Sequence, residues 1–203
     1  MTAVIVAAGQ GARMEDRKDK LFLEVNNLPV VAHAWLAFDK HQGVDEVVVV
    51  IREDAKDKFE MIASKITPDK PYVFVLGGKE RRDSVRNGIK AASESSKVIA
   101  IHDGARPCVS PEVISNTISA ANEHGASVAA TKIVDTVKLS DGKGFIMQNV
   151  DRTHLWSVQT PQVFKAGVIS EAIEAINEQN ACVTDDTAAC ELIGQRVAFV
   201  ESK

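Results

Sequence analysis

Short runs of β-branched and aliphatic residues alternate along the chain with longer segments whose apolar residues recur every three or four positions. This alternation is typical of βα units stacked around a mostly parallel sheet, and the short runs are apolar enough for strands buried on both faces. The runs predicted as strands are 3–7, 46–51, 72–76, 97–102, 127–132 and 196–200. The segments predicted as helices are 29–38, 54–66, 84–92, 111–124, 165–177 and 185–193. We therefore predict a Rossmann-like α/β fold with a twisted, mostly parallel sheet flanked by helices.

Residues 134–156 interrupt the alternation. The turn residues 140–144 separate two short apolar runs, a pattern that predicts a β-hairpin. An isolated two-stranded ribbon is marginally stable in water, so we expect this inserted hairpin, at about 133–156, to pack on a second subunit. The sequence thus predicts a homodimer with a hairpin dimerisation arm.

Length and composition narrow the class of protein. The 203 residues suit a single domain spanning 1–203, and a net charge of -4 gives no support to a nucleic-acid partner. Three cysteines without metal-ligand spacing argue against a zinc site or a disulfide framework. The chain enters a strand at once and has no apolar run near 18 residues, so we expect a cytoplasmic protein without a membrane partner.

The segment from Ala7 to Met14, which we call the phosphate loop, follows the first predicted strand. Its small residues, including Gly9 and Gly11, allow backbone N–H groups to approach phosphate oxygens. It lacks both the Walker lysine and the third glycine of a dinucleotide fingerprint. A tight strand-to-helix turn without a ligand is the alternative interpretation.

Cationic residues gather behind the phosphate loop, namely Arg13, Arg17, Lys18 and Lys20. Nucleotidyl transfer builds negative charge on the α-phosphate and on the departing pyrophosphate, which such side chains stabilise more in the transition state than in the ground state. A solvated charge run paired with neighbouring acids would explain the same residues.

Two further polar clusters follow predicted strands. Asp103 stands at the carboxyl end of an apolar strand, where it could hold Mg²⁺ together with substrate phosphates; pairing with Arg106 to shape the turn is the alternative. Gly77 and Gly78 precede a helix expected to open at Ser84, and a nucleobase edge could be recognised there. An ordinary glycine turn capped by Asp83 or Ser84 would fit equally well.

Six motifs occur in order along nearly the whole chain. They are Ala7-Ala8-Gly9-x-Gly11-x-Arg13-Met14, Gly77-Gly78 with Arg81-x-Asp83-Ser84, His102-Asp103-x-Ala105-Arg106-Pro107, Val150-Asp151-Arg152, Thr160-Pro161-Gln162 and Thr184-Asp185. Together they resemble the 2-C-methyl-D-erythritol 4-phosphate cytidylyltransferases of the non-mevalonate isoprenoid pathway. The resemblance implies a nucleotidyltransferase fold and a Mg²⁺-dependent reaction of CTP with methylerythritol phosphate that releases pyrophosphate.

The resemblance also implies roles for individual residues. The essential cations fall on Arg13 and Lys20, although the chain has Asp19-Lys20-Leu21 where the family commonly has Pro-Lys-Gln, so Lys18 competes for the second position. Residues expected around the nucleotide are Ala7, Ala8, Gly9, Gly78, Ser84, Asp103 and Gly104, with Asp103 also the metal ligand. Residues expected around the second substrate are Arg106, Thr160, Thr184 and Asp185, with Thr136, Asp151 and Arg152 from the partner's hairpin.

The family continues beyond Lys203 with an Asn-x-Lys-Val-Thr stretch and a final helix, so we expect a C-terminal segment to be missing. Ribitol-5-phosphate cytidylyltransferase is the nearest alternative function, although residues 102–107 look more like the methylerythritol enzyme. A dinucleotide-binding oxidoreductase or a nucleotide-binding regulatory module is the alternative of a different class.

Overall fold

The computed structural model describes residues 1–9, 19–179, 181 and 183–202, with the exception of the Asn177 side chain. The strands are β1 Thr2–Val6, β2 Glu24–Val25, β3 Leu28–Pro29, β4 Glu46–Ile51, β5 Tyr72–Leu76, β6 Val98–Asp103, β7 Ala126–Lys132, β8 Val137–Ser140, β9 Ile146–Val150, β10 Trp156–Lys165 and β11 Ala198–Glu201. The helices are α1 Val30–Asp39, α2 Lys56–Ile66, α3 Arg81–Lys90, α4 Pro111–His124, α5 Ala166–Gln179 and α6 Asp186–Leu192. Single 3₁₀ turns occupy Lys20–Phe22 and Glu53–Ala55.

The described part of the chain forms a seven-stranded sheet in the order β11-β7-β10-β6-β1-β4-β5. Strands β6, β1, β4 and β5 pair in parallel, as do β11 and β7. This arrangement confirms the predicted α/β class with a mostly parallel sheet.

Strand β10 is an element that the sequence patterns did not predict. It runs antiparallel between β6 and β7, and its register shifts between Val158 and Gln162. Pro161 lies within this irregular stretch, and a proline inside an apolar run argues locally against a central strand. The irregular register accommodates Pro161 within a central strand, so the proline was a misleading signal against a strand here.

Two predicted strands are not buried on both faces. In β5 the side chains of Tyr72, Val73 and Leu76 are exposed, and in β11 Phe199 is exposed. These strands form the two edges of the sheet, where fewer neighbours cover the side chains. The expectation of full burial was therefore wrong at the edges.

Helices pack on both faces of the sheet. The core on one face includes Trp35, Phe38 and Phe59, and the core on the other includes Phe164 and Ile169. Within the described residues, none of the helices is both long enough and apolar enough to span a membrane.

The start of α3 differs from the prediction. The helix begins at Arg81 and Glu80 is its N-cap, while the Asp83 carboxylate accepts a hydrogen bond from the Glu80 N–H at 3.1 Å. Ser84 therefore does not open the helix, and neither Asp83 nor Ser84 is its N-cap. The Asp83 carboxylate satisfies a backbone donor at the first turn, so the helix begins at Arg81 and not at the predicted Ser84.

The strands on either side of the predicted turn at 140–144 do pair with each other. Strands β8 and β9 are antiparallel, and Gly142 and Gly144 have positive φ angles in the connection. Around this connection Phe145, Ile146 and Met147 are about 70% exposed. The role of this hairpin as a dimerisation arm stays a prediction.

Candidate functional site

The carboxyl ends of the parallel strands β6, β1, β4 and β5 lie side by side and open into one cleft. Ligands commonly bind at this edge of α/β sheets, because the loops that leave the strands converge there. Many of the sequence-predicted site residues line this cleft. They are Ala7, Ala8, Gly9, Lys20, Gly78, Ser84, Asp103, Arg106, Thr160, Thr184 and Asp185.

Other predicted residues lie elsewhere. Gly104 is outside the described lining and packs beneath the cleft, where a Cβ would come 3.2 Å from that of Ala7. Thr136, Asp151 and Arg152 belong to the hairpin segment and are exposed there, also outside the described lining. Arg13, Gly11, Met14, Arg17 and Lys18 lie outside the described residues.

Glycine allows the ends of β1 and β5 to approach each other. A Cβ on Gly77 would lie 2.3 Å from the Ala8 Cβ and 2.8 Å from the Ser84 Oγ, so even alanine would clash. The adjacent Gly78 N–H donates a hydrogen bond to the Ser84 Oγ at 3.1 Å. This close approach brings the beginning of the phosphate loop and the glycine turn after β5 to the same wall of the cleft.

Lys20 lies in a 3₁₀ turn at the cleft. Asp19 is the N-cap of this turn, and its Oδ1 accepts a hydrogen bond from the Leu21 N–H at 3.1 Å. The Leu21 side chain is buried in the core. The turn that carries Lys20 is thus fixed at its N-cap and by packing.

Asp103 accepts a hydrogen bond from one arginine and forms a longer ion pair with another. The Arg106 Nε donates to Asp103 Oδ2 at 3.1 Å, while the Arg81 Nη2 lies 3.7 Å from Asp103 Oδ1 and 2.8 Å from the Asp186 Oδ2. Burial raises the pKa of the Asp186 carboxyl, and the Arg81 guanidinium opposes that rise. The turn-shaping pair that we considered as an alternative is present, and Asp103 still faces the cleft.

A buried histidine lies directly beneath these groups. The His102 Nε2 is 3.0 Å from the Arg106 carbonyl oxygen, which can only accept, so this nitrogen carries the proton. Nδ1 then accepts from the Thr160 hydroxyl at 3.1 Å, and the Thr160 Oγ1 accepts from the Asp103 N–H. Burial lowers the pKa of His102 to about 4, so the ring is neutral at pH 7.

Gln162 holds the opposite side of the cleft. Its buried Nε2 donates to Asp185 Oδ2 at 2.9 Å, and its Oε1 accepts from the Asp186 N–H at 3.1 Å. Asp185 in turn caps α6 by accepting from the Ala188 N–H at 2.9 Å. One buried amide therefore orients a carboxylate that reaches the cleft.

The lining of the cleft carries both cationic and acidic side chains. The acidic residues are Glu53, Asp54, Glu80, Asp103 and Asp185. The cationic residues in its lining are Lys20, Arg52, Lys79, Arg81 and Arg106. No cluster of three or more acidic, histidine or cysteine side chains that could hold a metal occurs among the described residues. Asp103 is a carboxylate in this lining that could hold a divalent cation, and Mg²⁺ commonly binds through one or two carboxylates together with phosphate oxygens.

Sequence reasoning assigned no role to three residues that organise the site. Arg81 and Gln162 were part of the motifs, but their partners in α6 lie far away in sequence. Arg52 was not singled out, although it follows β4 directly and contacts Gly9 and Asp19. A polar side chain at the carboxyl end of a buried strand was the signal that could have found it.

Comparison with known proteins gives one consistent family. A family model described as IspD: 2-C-methyl-D-erythritol 4-phosphate cytidylyltransferase matches residues 1–203. The 2-C-methyl-D-erythritol 4-phosphate cytidylyltransferase of Clostridium botulinum is 40% identical over 200 residues, which cover 98% of this chain and 87% of that protein.

Solved structures agree with the sequence matches. The 4-diphosphocytidyl-2C-methyl-D-erythritol synthase of Anaerococcus prevotii has a TM-score of 0.87 at 30% identity, covering 100% of this chain and 88% of that one. The cytidylyltransferase of Thermus thermophilus has a TM-score of 0.79 at 28% identity, covering 99% and 88%. From its sequence, its fold and its site, this chain belongs to the 2-C-methyl-D-erythritol 4-phosphate cytidylyltransferase family.

Proposed function

We propose that this protein transfers the cytidylyl group of CTP to 2-C-methyl-D-erythritol 4-phosphate, releasing pyrophosphate, as a step of isoprenoid biosynthesis. The observation that carries the proposal is the cleft of this chain, a member of the family, which is lined by Lys20, Asp103 and Ala7 to Gly9. The family names favour methylerythritol phosphate over ribitol phosphate as the acceptor.

The nucleotide would bind along the wall formed by β1 and β5. We propose that the backbone from Ala7 to Gly9 binds the triphosphate, and that Gly78 and Ser84 lie near the cytosine. Support comes from the close approach of the two strand ends, which places residues of both in the lining of the cleft.

In the reaction, an oxygen of the acceptor phosphate forms a bond to the α-phosphorus while the bond to the pyrophosphate oxygen breaks. Lys20 and Arg13 would stabilise the charge that develops on the α-phosphate and on the leaving group. The position of Lys20 in the cleft supports its part in this assignment.

Asp103 would hold Mg²⁺ together with phosphate oxygens of the nucleotide. Its Oδ1 has only a 3.7 Å contact with the Arg81 Nη2, whereas Oδ2 accepts a hydrogen bond from Arg106, so Oδ1 is the better placed oxygen. The ion, when bound, would neutralise part of the triphosphate charge. Chelation by EDTA should abolish turnover and added Mg²⁺ should restore it.

The second substrate would bind opposite the nucleotide, at Arg106, Thr160, Thr184 and Asp185, which line the other side of the cleft. We propose that Thr136, Asp151 and Arg152 reach this position from the hairpin of a partner subunit. They are exposed and lie outside the described lining of the cleft in their own chain, which supports a homodimer with shared sites.

We also propose that the protein works in the cytoplasm. The exposed thiol of Cys108 and the buried thiol of Cys190 are both free. Free thiols fit a reducing compartment.

The function is tested by pyrophosphate release. The protein is incubated with Mg²⁺, with CTP or another nucleoside triphosphate, and with methylerythritol phosphate or ribitol 5-phosphate. We expect release only with CTP and methylerythritol phosphate. Release with ribitol 5-phosphate alone would reassign the acceptor, and no release with either acceptor would refute catalysis.

Two lysine variants decide which lysine acts. We expect Lys20→Ala to lower kcat by about 100-fold or more, because it removes a charge that stabilises the transition state, while Lys18→Ala has little effect. The measurement is kcat for pyrophosphate release. Near-normal turnover of Lys20→Ala with a large loss in Lys18→Ala would transfer the role to Lys18.

A further inference from the structure

Arg52 stands immediately after β4 at the edge of the cleft and has three oxygen partners. Its Nη1 donates to the Gly9 carbonyl at 3.1 Å, its Nη2 to the Asp19 Oδ2 at 2.7 Å, and its Nε to the Asp54 Oδ1 at 3.1 Å. The side chain is only 17% exposed. Arg52 thus has a defined orientation, set by three elements of the chain.

Two of these partners flank residues 10–18, a segment that includes the second part of the phosphate loop. Gly9 follows β1, and Asp19 begins the turn that carries Lys20. The same guanidinium therefore bridges the backbone proposed to bind the triphosphate and the segment that bears the proposed catalytic lysine. These two partners lie 43 and 33 residues from Arg52 in sequence.

The Asp19 carboxylate transmits the position of Arg52 to Lys20. One of its oxygens accepts from Arg52, and the other accepts from the Leu21 N–H within the turn. Charge-assisted hydrogen bonds of this kind are short and directional, and the partly buried pair is shielded from water. A shift of the guanidinium would therefore shift the turn.

Arginine suits this role better than lysine. Its planar guanidinium presents several N–H donors in a rigid fork, so it can fix the separation of two acceptors. A lysine ammonium is a point charge on a flexible stem, so it would hold Asp19 without fixing Gly9.

We propose that Arg52 is a positioning residue for the transfer reaction. It holds the backbone at Gly9 and the turn that carries Lys20 at the separation that nucleotidyl transfer requires, and it acts through Asp19 rather than by binding substrate. This inference rests on the proposed function. Misplacement of a reacting group by about 1 Å can lower the rate by about 100-fold.

The first experiment measures pyrophosphate release and thermal unfolding for Arg52→Met, Arg52→Lys and a matched control, Arg196→Met, an exposed arginine away from the cleft. We expect Arg52→Met to lower kcat by about 10- to 100-fold while the KM for CTP changes by less than about threefold. The kcat of Arg52→Lys should lie between those of Arg52→Met and the wild type, because the lysine keeps a positive charge that pairs with Asp19. Arg196→Met should match the wild type.

The second experiment is a double-mutant cycle with Asp19→Asn. The asparagine amide oxygen can still accept from the Leu21 N–H, but the ion pair with Arg52 is lost. We expect the double variant Asp19→Asn with Arg52→Met to have about the same kcat as Arg52→Met alone, because each change breaks the same contact between Arg52 and Asp19.

Several results would overturn the proposal. One is a kcat for Arg52→Met equal to that of Arg196→Met, and another is a double variant whose loss is the product of the single losses. A third is a raised KM for CTP at unchanged kcat, because a loss of positioning for the transfer step must lower kcat. If Arg52→Met fails to fold, Arg52→Lys takes its place in the test. We then expect a lowered kcat at an unchanged KM for CTP. A kcat of Arg52→Lys equal to that of the wild type would refute the proposal.

The two proposals fail in distinguishable ways. A wild-type protein that releases no pyrophosphate refutes the proposed function and this inference with it. A wild-type enzyme that is active, with Arg52 variants equally active, refutes only the positioning role.

Discussion

The buried ring of His102 connects two residues that face the cleft. It donates to the Arg106 carbonyl and accepts from the Thr160 hydroxyl, while Phe38 packs against the ring at a centroid distance of 4.9 Å. In the neutral form with Nε2 protonated, Nδ1 accepts from the Thr160 hydroxyl, and protonation of Nδ1 would reverse the direction of this hydrogen bond. At the scale of single residues, the neutral His102 ring therefore links Arg106 and Thr160, two residues of the cleft lining.

The lowered pKa of His102 predicts a pH dependence of stability. Burial lowers this pKa from 6.5 to about 4; the hydrogen bond to the Arg106 carbonyl and the Asp103 charge oppose that change, and the Arg106 charge adds to it. Between pH 6.5 and pH 4, His102 binds a proton in the unfolded protein but not in the folded one. The contribution of His102 to the free energy of unfolding is therefore constant above pH 6.5, and stability falls as the pH falls toward 4. Over the whole window the loss is about 3 kcal/mol.

The measurement is the free energy of unfolding in denaturant at pH 7 and pH 5, for the wild type and for His102→Gln. We expect the wild type to lose about 2 kcal/mol more than the variant between these pH values, because only the wild type carries the buried imidazole. Equal losses in the two proteins would contradict the prediction.

Helix α3 illustrates how an element is fixed from several directions. Its first residue, Arg81, pairs with Asp186 at the start of α6, and its Gly88 lies directly over the sheet. A Cβ on Gly88 would come 2.5 Å from the Val4 Cγ1 and 2.8 Å from the Val50 Cγ2. The helix therefore packs closely on β1 and β4, the strands that lead into the cleft.

We expect Gly88→Ala to destabilise the protein by about 1–2 kcal/mol. The gain in helix propensity, at most about 1 kcal/mol, is smaller than the cost of overpacking against two stiff valines. Gly167→Ala in α5 is the matched control, since, apart from its chain neighbours and the backbone of its own helix, no heavy atom of the described residues lies within 4 Å of its Cβ position. That change should be neutral or slightly stabilising in thermal or denaturant unfolding, and an equal response of both variants would contradict the packing argument.

At the scale of the whole molecule, the hairpin of β8 and β9 is the feature that a single chain does not explain. Phe145 and the first two residues of β9, Ile146 and Met147, form an exposed apolar run. Contiguous apolar surface of this kind commonly marks an interaction site. A second copy of the chain would cover this surface and bring the exposed Arg152 toward a partner's cleft.

We expect the wild type to sediment as a dimer at micromolar concentration. The triple variant Phe145→Ser, Ile146→Ser, Met147→Ser should sediment as a folded monomer, because these side chains contribute little to the core of their own chain. Its pyrophosphate release should fall by about 100-fold or more, since the partner's substrate contacts are lost. Met61→Ser, an equally exposed apolar residue on α2, should stay dimeric and active.

A wild-type monomer, or a monomeric triple variant with full activity, would refute the shared site.

Local patterns predicted most of the elements and part of the site. Strands β4 and β5 and helix α4 have the predicted bounds, and the Ser110 Oγ accepts from the Val113 N–H as the capping pattern indicated. Asp103 reaches the cleft as the last residue of β6, and Ser84 reaches it from α3, the helix that follows β5; both strands are marked by their own apolar runs. These features depend on neighbours in sequence, so sequence is sufficient to find them.

Strand order and side-chain partners depend instead on residues far apart in the chain. The antiparallel course of β10 past Pro161, the exposure of β5 and β11, and the contacts of Arg52 with Gly9 and Asp19 follow from which strands lie side by side. By itself the sequence determined the α/β class, the strand that leads into the phosphate loop and the family. Only the tertiary structure decided which charges meet around the cleft, because that depends on the packing of the whole sheet and not on any local run of residues.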